Sequence, residues 1–231
     1  MNNISDKILK FHEQLVGDEN HRYKSWEHCY TYFCQENTEL DIACLQMAFY
    51  LASWGMYRGS SFLLWKDYLI HKEVVAHLLS KKHLQRIDFT KAEDQEISEI
   101  FELIAWVKNW YQDNIESING VTRKVNVTDT LATKIILGSL GCVPAYDRYF
   151  IDGIRNKGLR YSGLKSANFD VVVNFYKNNK DQFLLANQTI LEKTGIYYPP
   201  MKLVDMYFWE IGYEIDKNSS KHQLNYDASI S

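Results

Sequence analysis

Along most of this chain apolar residues recur at spacings of three and four, the signature of helices with one buried face, and strict alternation is almost absent. Residues 4–16 read as a helix stopped by Gly17. A second covers about 23–35, with Trp26, Cys29, Tyr30 and Phe33 on one side. Residues 41–57 are apolar almost all round, which predicts a central buried helix, ended by the Gly55–Gly59 break. Further helices are expected over 62–79, 97–111, 168–176 and 181–194. Charged residues 81–96 form a loop and helix start, and residues 118–127 a turn bearing Arg123 and Lys124. Pro200 opens the last helix, about 201–213, and the polar stretch 217–231 is expected to fray. Val171, Val172 and Val173 are the best strand candidate, yet Phe169, Val172, Phe175 and Tyr176 give the same segment a helical stripe. With only three prolines in 231 residues, the expectation is an all-α fold.

Composition narrows the classes. A hydrophobic fraction of 46% with 14% aromatics belongs to a folded globular protein able to bury a large core. The formal net charge of −3 carries no general polyanion signal, so any nucleic-acid contact must come from cations gathered on one face. Cys29, Cys34, Cys44 and Cys142 are scattered through apolar contexts. They predict buried reduced thiols in a cytoplasmic protein rather than an iron–sulfur cluster. No signal-peptide core is visible at the start, and the apolar run 42–54 is too short for a membrane span. A monomer without a membrane partner, metal or cofactor is expected.

Residues 128–150, TDTLATKIILGSLGCVPAYDRYF, hold the most informative pattern. Thr128 and Asp129 are good N-caps, and Leu131, Ile135, Ile136 and Leu140 form a helical stripe. Gly141 falls where a left-handed C-terminal residue belongs, and Pro144 separates this helix from the next. Asp147 then stands at the mouth of the second helix, beside the positive end of its dipole. Such a carboxylate can cap the helix, act as a base or steady a developing cation; the sequence leaves all three open.

Three stretches together resemble the helix-hairpin-helix DNA glycosylase superfamily, nearest its 8-oxoguanine branch. They are LDIACLQMAFYLASWGMYRGS, the 128–150 core with A-Y-D-R-Y-F, and MKLVDMYFWEIG, similar to the family's Leu-Asp-x-x-x-Trp helix. The resemblance implies two packed helical lobes with a cleft, residues 41–127 and 128–165 forming the core of a single domain over 1–216. It also implies flipping of a base out of double-stranded DNA and cleavage of its N-glycosidic bond, with Asp147 as the catalytic carboxylate. Trp54, Tyr57, Arg58, Trp65 and Trp209 become candidates for the base pocket, and Arg123, Lys124, Arg148, Arg155, Lys157 and Arg160 for phosphate contacts. Core packing is the competing reading for each aromatic, and an ordinary solvated cation for each basic residue.

The chain also departs from that pattern. Gly120-Val121-Thr122 lacks the second glycine of the family's hairpin. Thr130 falls where bifunctional members carry their attacking lysine, with Lys124 and Lys134 out of register, and Tyr149 replaces a histidine. Thr130 and Lys134 join Asp147 as candidate catalytic positions, and a monofunctional enzyme with water as nucleophile is expected. The target base is not readable; a modified base in invading phage DNA, and hence antiviral defence, is one candidate. Two other classes compete. Arg22 and His28, an Arg-x5-His on one helix, resemble the RNase motif of HEPN-domain toxins, and a helical interaction protein without catalysis fits the slightly acidic balance. No HExxH, paired CxxC or nucleophile-elbow spacing occurs.

Overall fold

Asn3 accepts the backbone N–H of Ser5 and opens α1 (Ile4–Val16), the first element of a computed structural model that describes residues 3–230, with side chains through Ser219. The fold is all-α. A short 3₁₀ turn (Arg22–Lys24) leads into α2 (Ser25–Phe33), followed by α3 (Leu40–Ser53), α4 (Lys72–Ser80) and α5 (Asp94–Asn114). α6 (Asp129–Ser139), α7 (Arg148–Asn156), α8 (Ser166–Asn178), α9 (Lys180–Thr194) and α10 (Pro200–Ile230) complete it. Among the described residues, no helix is long and apolar enough to cross a membrane.

The central helix is α6, not the 41–57 segment. Every residue of α6 from Leu131 to Ser139 is buried, under α2, α3 and α5. α3 buries Ala43, Cys44, Met47, Tyr50 and Leu51, but Leu45 and Phe49, one turn apart, face solvent. Its partners α2, α4 and α6 cover the other sides, so an apolar circumference did not mean burial all round. Of the four cysteines, Cys34 is exposed while the other three are buried, and all are free.

Local side-chain hydrogen bonds explain two further departures. The helix expected over 62–79 is broken into 3₁₀ turns at Phe62–Trp65 and Tyr68–His71 before α4 begins, because Ser61 accepts from Leu63 N (3.3 Å) and Asp67 from Leu69 N (2.7 Å). Each acceptor restarts the chain and competes with a continuous helix. The turn expected over 118–127 begins as a β-hairpin, β1 (Ser117–Ile118) with β2 (Val121–Thr122), joined by Asn119 and Gly120 at φ of 50° and 74°. Two positive φ angles define a type I′ turn, and Asn-Gly is its preferred pair. α10 starts at Pro200 as expected but runs on to Ile230, through the polar stretch expected to fray.

α7 and α10 make the closest crossing in the fold. Gly153 lies under the carbonyl of Phe208, and Gly212 under that of Tyr149, so each helix offers a glycine to the other's backbone. This crossing carries α7, and with it Asp147, onto the last helix.

Buried histidines make the fold acid-sensitive. His71 is sealed in the core, its Nε2 2.9 Å from Tyr57 Oη and its Nδ1 2.5 Å from Tyr111 Oη; burial pushes its pKa down to about 3. Burial also lowers His12, whose two ring nitrogens have no hydrogen-bond partner. A folded-state pKa below the unfolded value of about 6.5 means the unfolded chain binds the extra proton. Stability is therefore complete above that value and falls as pH drops below it, for His71 by about 1.4 kcal/mol per pH unit down toward 3. Thermal unfolding across pH 7 to 4 should show this slope, and His71→Gln should flatten it by about one proton. An unchanged slope in the variant would remove His71 from the account.

Candidate active site

Five chain segments meet at one cleft of about 530 Å³, within the range of about 300–1,000 Å³ of small-ligand sites. The turn after α3 supplies Trp54, Met56 and Arg58. Gly55, at φ 75°, makes the turn and leaves room for the Arg58 guanidinium. α6 supplies Thr130 and Lys134, one turn apart on one face. Gly141, at φ 66°, ends α6 in the left-handed region, and the chain crosses through Pro144 to Asp147. α10 supplies Trp209 and Tyr213, and the 3₁₀ turn before α2 supplies Arg22 and Tyr23.

Asp147 serves two purposes at once. Its Oδ1 accepts the Phe150 N–H at 3.1 Å and caps α7, while its Oδ2 lies 3.1 Å from Lys134 Nζ. The side chains of Lys134 and Asp147 are 4% and 13% exposed, so the pair sits at the floor of the cleft yet remains reachable. Lys134 Nζ also lies 5.0 Å from the Trp54 ring centre, a cation–π contact. Tyr23 stacks on Trp54 at 4.2 Å, Trp209 stacks on Tyr213 at 5.1 Å, and Tyr149 meets both of the latter edge-on. The buried Nε1 of Trp54 has no hydrogen-bond partner.

Beneath this floor lies a second pair. Lys202 Nζ is 3.2 Å from Asp205 Oδ2, each side chain only 3% exposed. Burial pushes Lys202 below and Asp205 above their ordinary pKa values, each toward its neutral form and each opposed by the other's charge. Such buried, perturbed pairs are enriched at functional sites.

The structure sorts the sequence candidates. Asp147, Thr130, Lys134, Trp54, Arg58, Trp209 and Arg148 all line the cleft. Thr130 Oγ1 donates to the Tyr146 carbonyl at 2.8 Å, which ties down the crossing segment and occupies its proton. Tyr57 does not line the cleft, because its hydroxyl is engaged with His71. Trp65 sits on a 3₁₀ turn, 52% exposed and outside the cleft. Arg58 is exposed. It joins Arg123 and Lys124 in an adjoining recess of about 340 Å³ that shares Gly55 and Met56 with the cleft, and no carboxylate lines that recess.

Arg155, Lys157 and Arg160 stand apart. They lie in or beyond the last turn of α7, at the end opposite Asp147 of a helix of nine residues and so roughly 13 Å long. Arg155 and Lys157 lie over Tyr161 and Tyr207 instead. Arg148 lines the cleft, with Asp216 3.2 Å away. Arg22 lines the cleft while His28, exposed on α2, does not, so the structure does not assemble that pair into one site.

The sequence assigns no site role to Tyr23, Tyr213, Lys202 or Asp205, although Asp205 stands at the aspartate of the Leu-Asp-x-x-x-Trp pattern. Lys202 and Asp205 did leave a signal, two opposite charges three residues apart inside an otherwise apolar helix. Among the described residues, no group of three His, Cys, Asp or Glu side chains is placed to hold a metal ion. Compared with protein-family models, curated proteins and solved structures, the chain matches none.

Proposed function

We propose that this cleft excises a base from double-stranded DNA by hydrolysing its N-glycosidic bond, in the manner of the helix-hairpin-helix DNA glycosylases. The observation that carries the reading is Asp147, an accessible carboxylate at a helix mouth on the floor of an aromatic, cation-rimmed cleft. A flipped base needs flat apolar walls, which Tyr23, Trp54, Trp209 and Tyr213 supply. The sugar needs a negative charge as its C1′ becomes cationic, which Asp147 supplies. Water attacks C1′ as the C1′–N bond breaks, the base leaves with the bonding electrons, and the water proton passes to the Asp147 carboxylate.

Lys134 stands in the cleft, but paired with Asp147 its ammonium has no lone pair with which to attack carbon. That supports hydrolysis by water without a Schiff base. The decisive assay presents a panel of base-modified duplexes and looks for abasic sites, revealed as alkali-labile breaks, with borohydride added in parallel. Breaks without a trapped covalent complex are expected. A trapped complex would reassign Lys134 as the nucleophile, and no breaks on any duplex would end the proposal.

The basic recess supports DNA as the partner. Arg58, Arg123 and Lys124 place three cations beside the cleft despite the net negative chain, while Arg155, Lys157 and Arg160 lie off this path. Each phosphate neutralised contributes about 0.9 to the slope of log affinity against log salt. Replacing both Arg123 and Lys124 by Gln should lower that slope by about two, whereas replacing Arg155 and Lys157 should leave it nearly unchanged. Equal effects of the two double variants would refute this placement of the DNA.

A further inference from the structure

We propose that Asp205, held by Lys202, is a positioning residue for Asp147. The inference rests on the base-excision reading for its catalytic consequence, but its structural content stands on hydrogen bonds alone. Asp205 Oδ1 accepts the Ala145 N–H at 2.9 Å, and the Ala145 carbonyl accepts the Asp147 N–H at 2.9 Å. Two hydrogen bonds thus connect a buried carboxylate on α10 to the backbone of the residue that faces the cleft. Tyr146 between them is pinned from α6, its N–H donating to Thr133 Oγ1 at 3.0 Å and its carbonyl accepting from Thr130. The crossing segment 144–147 is therefore fixed from two helices, with Asp205 as its anchor on α10.

Lys202 holds the other wall. Its ammonium lies 4.9 Å from the Trp26 ring centre, 5.2 Å from Trp54 and 5.7 Å from Phe11, an aromatic box closed by Asp205. Trp54 is thereby in contact with both Lys202 and Lys134, one ammonium beneath the cleft and one in it. One buried ion pair fixes the aromatic wall through its cation and the carboxylate loop through its anion. A buried pair is seldom needed for stability, since a well-packed apolar pair serves as well. A role in placing Asp147 accounts for charges that the fold itself does not require.

Two double variants separate positioning from mere packing. Lys202→Met with Asp205→Leu removes both charges together and deletes the acceptor for Ala145. Lys202→Met with Asp205→Asn removes the charges but keeps that acceptor. In single-turnover excision at saturating DNA, the leucine double should slow by about a hundred-fold, the cost of an ångström-scale misplacement, with its DNA Kd unchanged. The asparagine double, equally without Lys202 but with the Ala145 acceptor kept, should excise at least tenfold faster than the leucine double. Excision by the leucine double at the wild-type rate would overturn the proposal.

Nuclear magnetic resonance keeps the two readings distinct. The hydrogen-bond scalar coupling between Ala145 N and the Asp205 carboxyl carbon should be present in the unaltered protein. The Asp147 backbone amide resonance should move in the leucine double more than in the asparagine double, which keeps the acceptor for Ala145. Absence of the coupling overturns the positioning role even if the leucine double fails to fold. If the wild type excises nothing while the coupling and the amide shift behave as stated, base excision falls and the positioning of Asp147 stands.

Discussion

Asp147→Asn should abolish base excision while leaving a folded protein. Asn caps a helix about as well as Asp, so the Phe150 N–H keeps an acceptor and α7 keeps its start. What disappears is the negative charge that the proposed mechanism sets against C1′. Losing one preorganised electrostatic group of this kind costs about 10²–10³ in rate, or roughly 3–4 kcal/mol of transition-state stabilisation, and the loss of the base adds to it. Lys134, 4% exposed at its side chain, is then left without its partner, which destabilises the fold by about 1–3 kcal/mol. Asp147→Asn combined with Lys134→Met should regain most of that stability and none of the activity. The measurement is alkali-labile breaks per hour beside a thermal melt. A variant that excises at the wild-type rate would reduce Asp147 to a helix cap.

Gly153→Ala should be strongly destabilising, as should Gly212→Ala on the facing helix. A methyl group at Gly153 would fall inside the contact envelope of the Phe208 carbonyl, and one at Gly212 inside that of Tyr149. Neither obstacle is a flexible side-chain tip; each is the backbone of the opposing helix, so α7 and α10 must separate. Overpacking of this kind costs about 3 kcal/mol or more, against a total stability of about 5–15 kcal/mol. Moving α7 also moves Asp147, so excision should fall even where the protein still melts cooperatively. Gly158→Ala is the contrast: its added methyl meets nothing, and only the left-handed backbone (φ 73°) opposes it. It should cost roughly 1 kcal/mol. Equal melting temperatures for the Gly153 and Gly158 variants would show that the crossing can open freely.

How much was legible followed from the range of the interactions. Thr128 and Asp147 capping their helices, and Gly141 in the left-handed region, came straight from the sequence, because a cap binds a backbone N–H three residues away. The 62–79 stretch departs from one continuous helix for equally local reasons: Ser61 and Asp67 carry hydrogen bonds that interrupt the apolar periodicity. Asn119-Gly120 is a similar case, a strong turn signal in a segment too short to show alternation.

The amino-acid sequence by itself determined the helices, most of their ends and one carboxylate waiting at a helix mouth, since these depend on neighbours along the chain. Only the tertiary structure decided what surrounds that carboxylate. It brought Arg58 beside Arg123 and Lys124, held Arg155 a helix length away, and joined Asp205 to Ala145 across 60 residues. Periodicity states which face of a helix is apolar but not which other helix covers it. Contacts between distant segments are set by how whole helices pack, and α7 meets α10 as closely as it does because glycines face each other's backbones there.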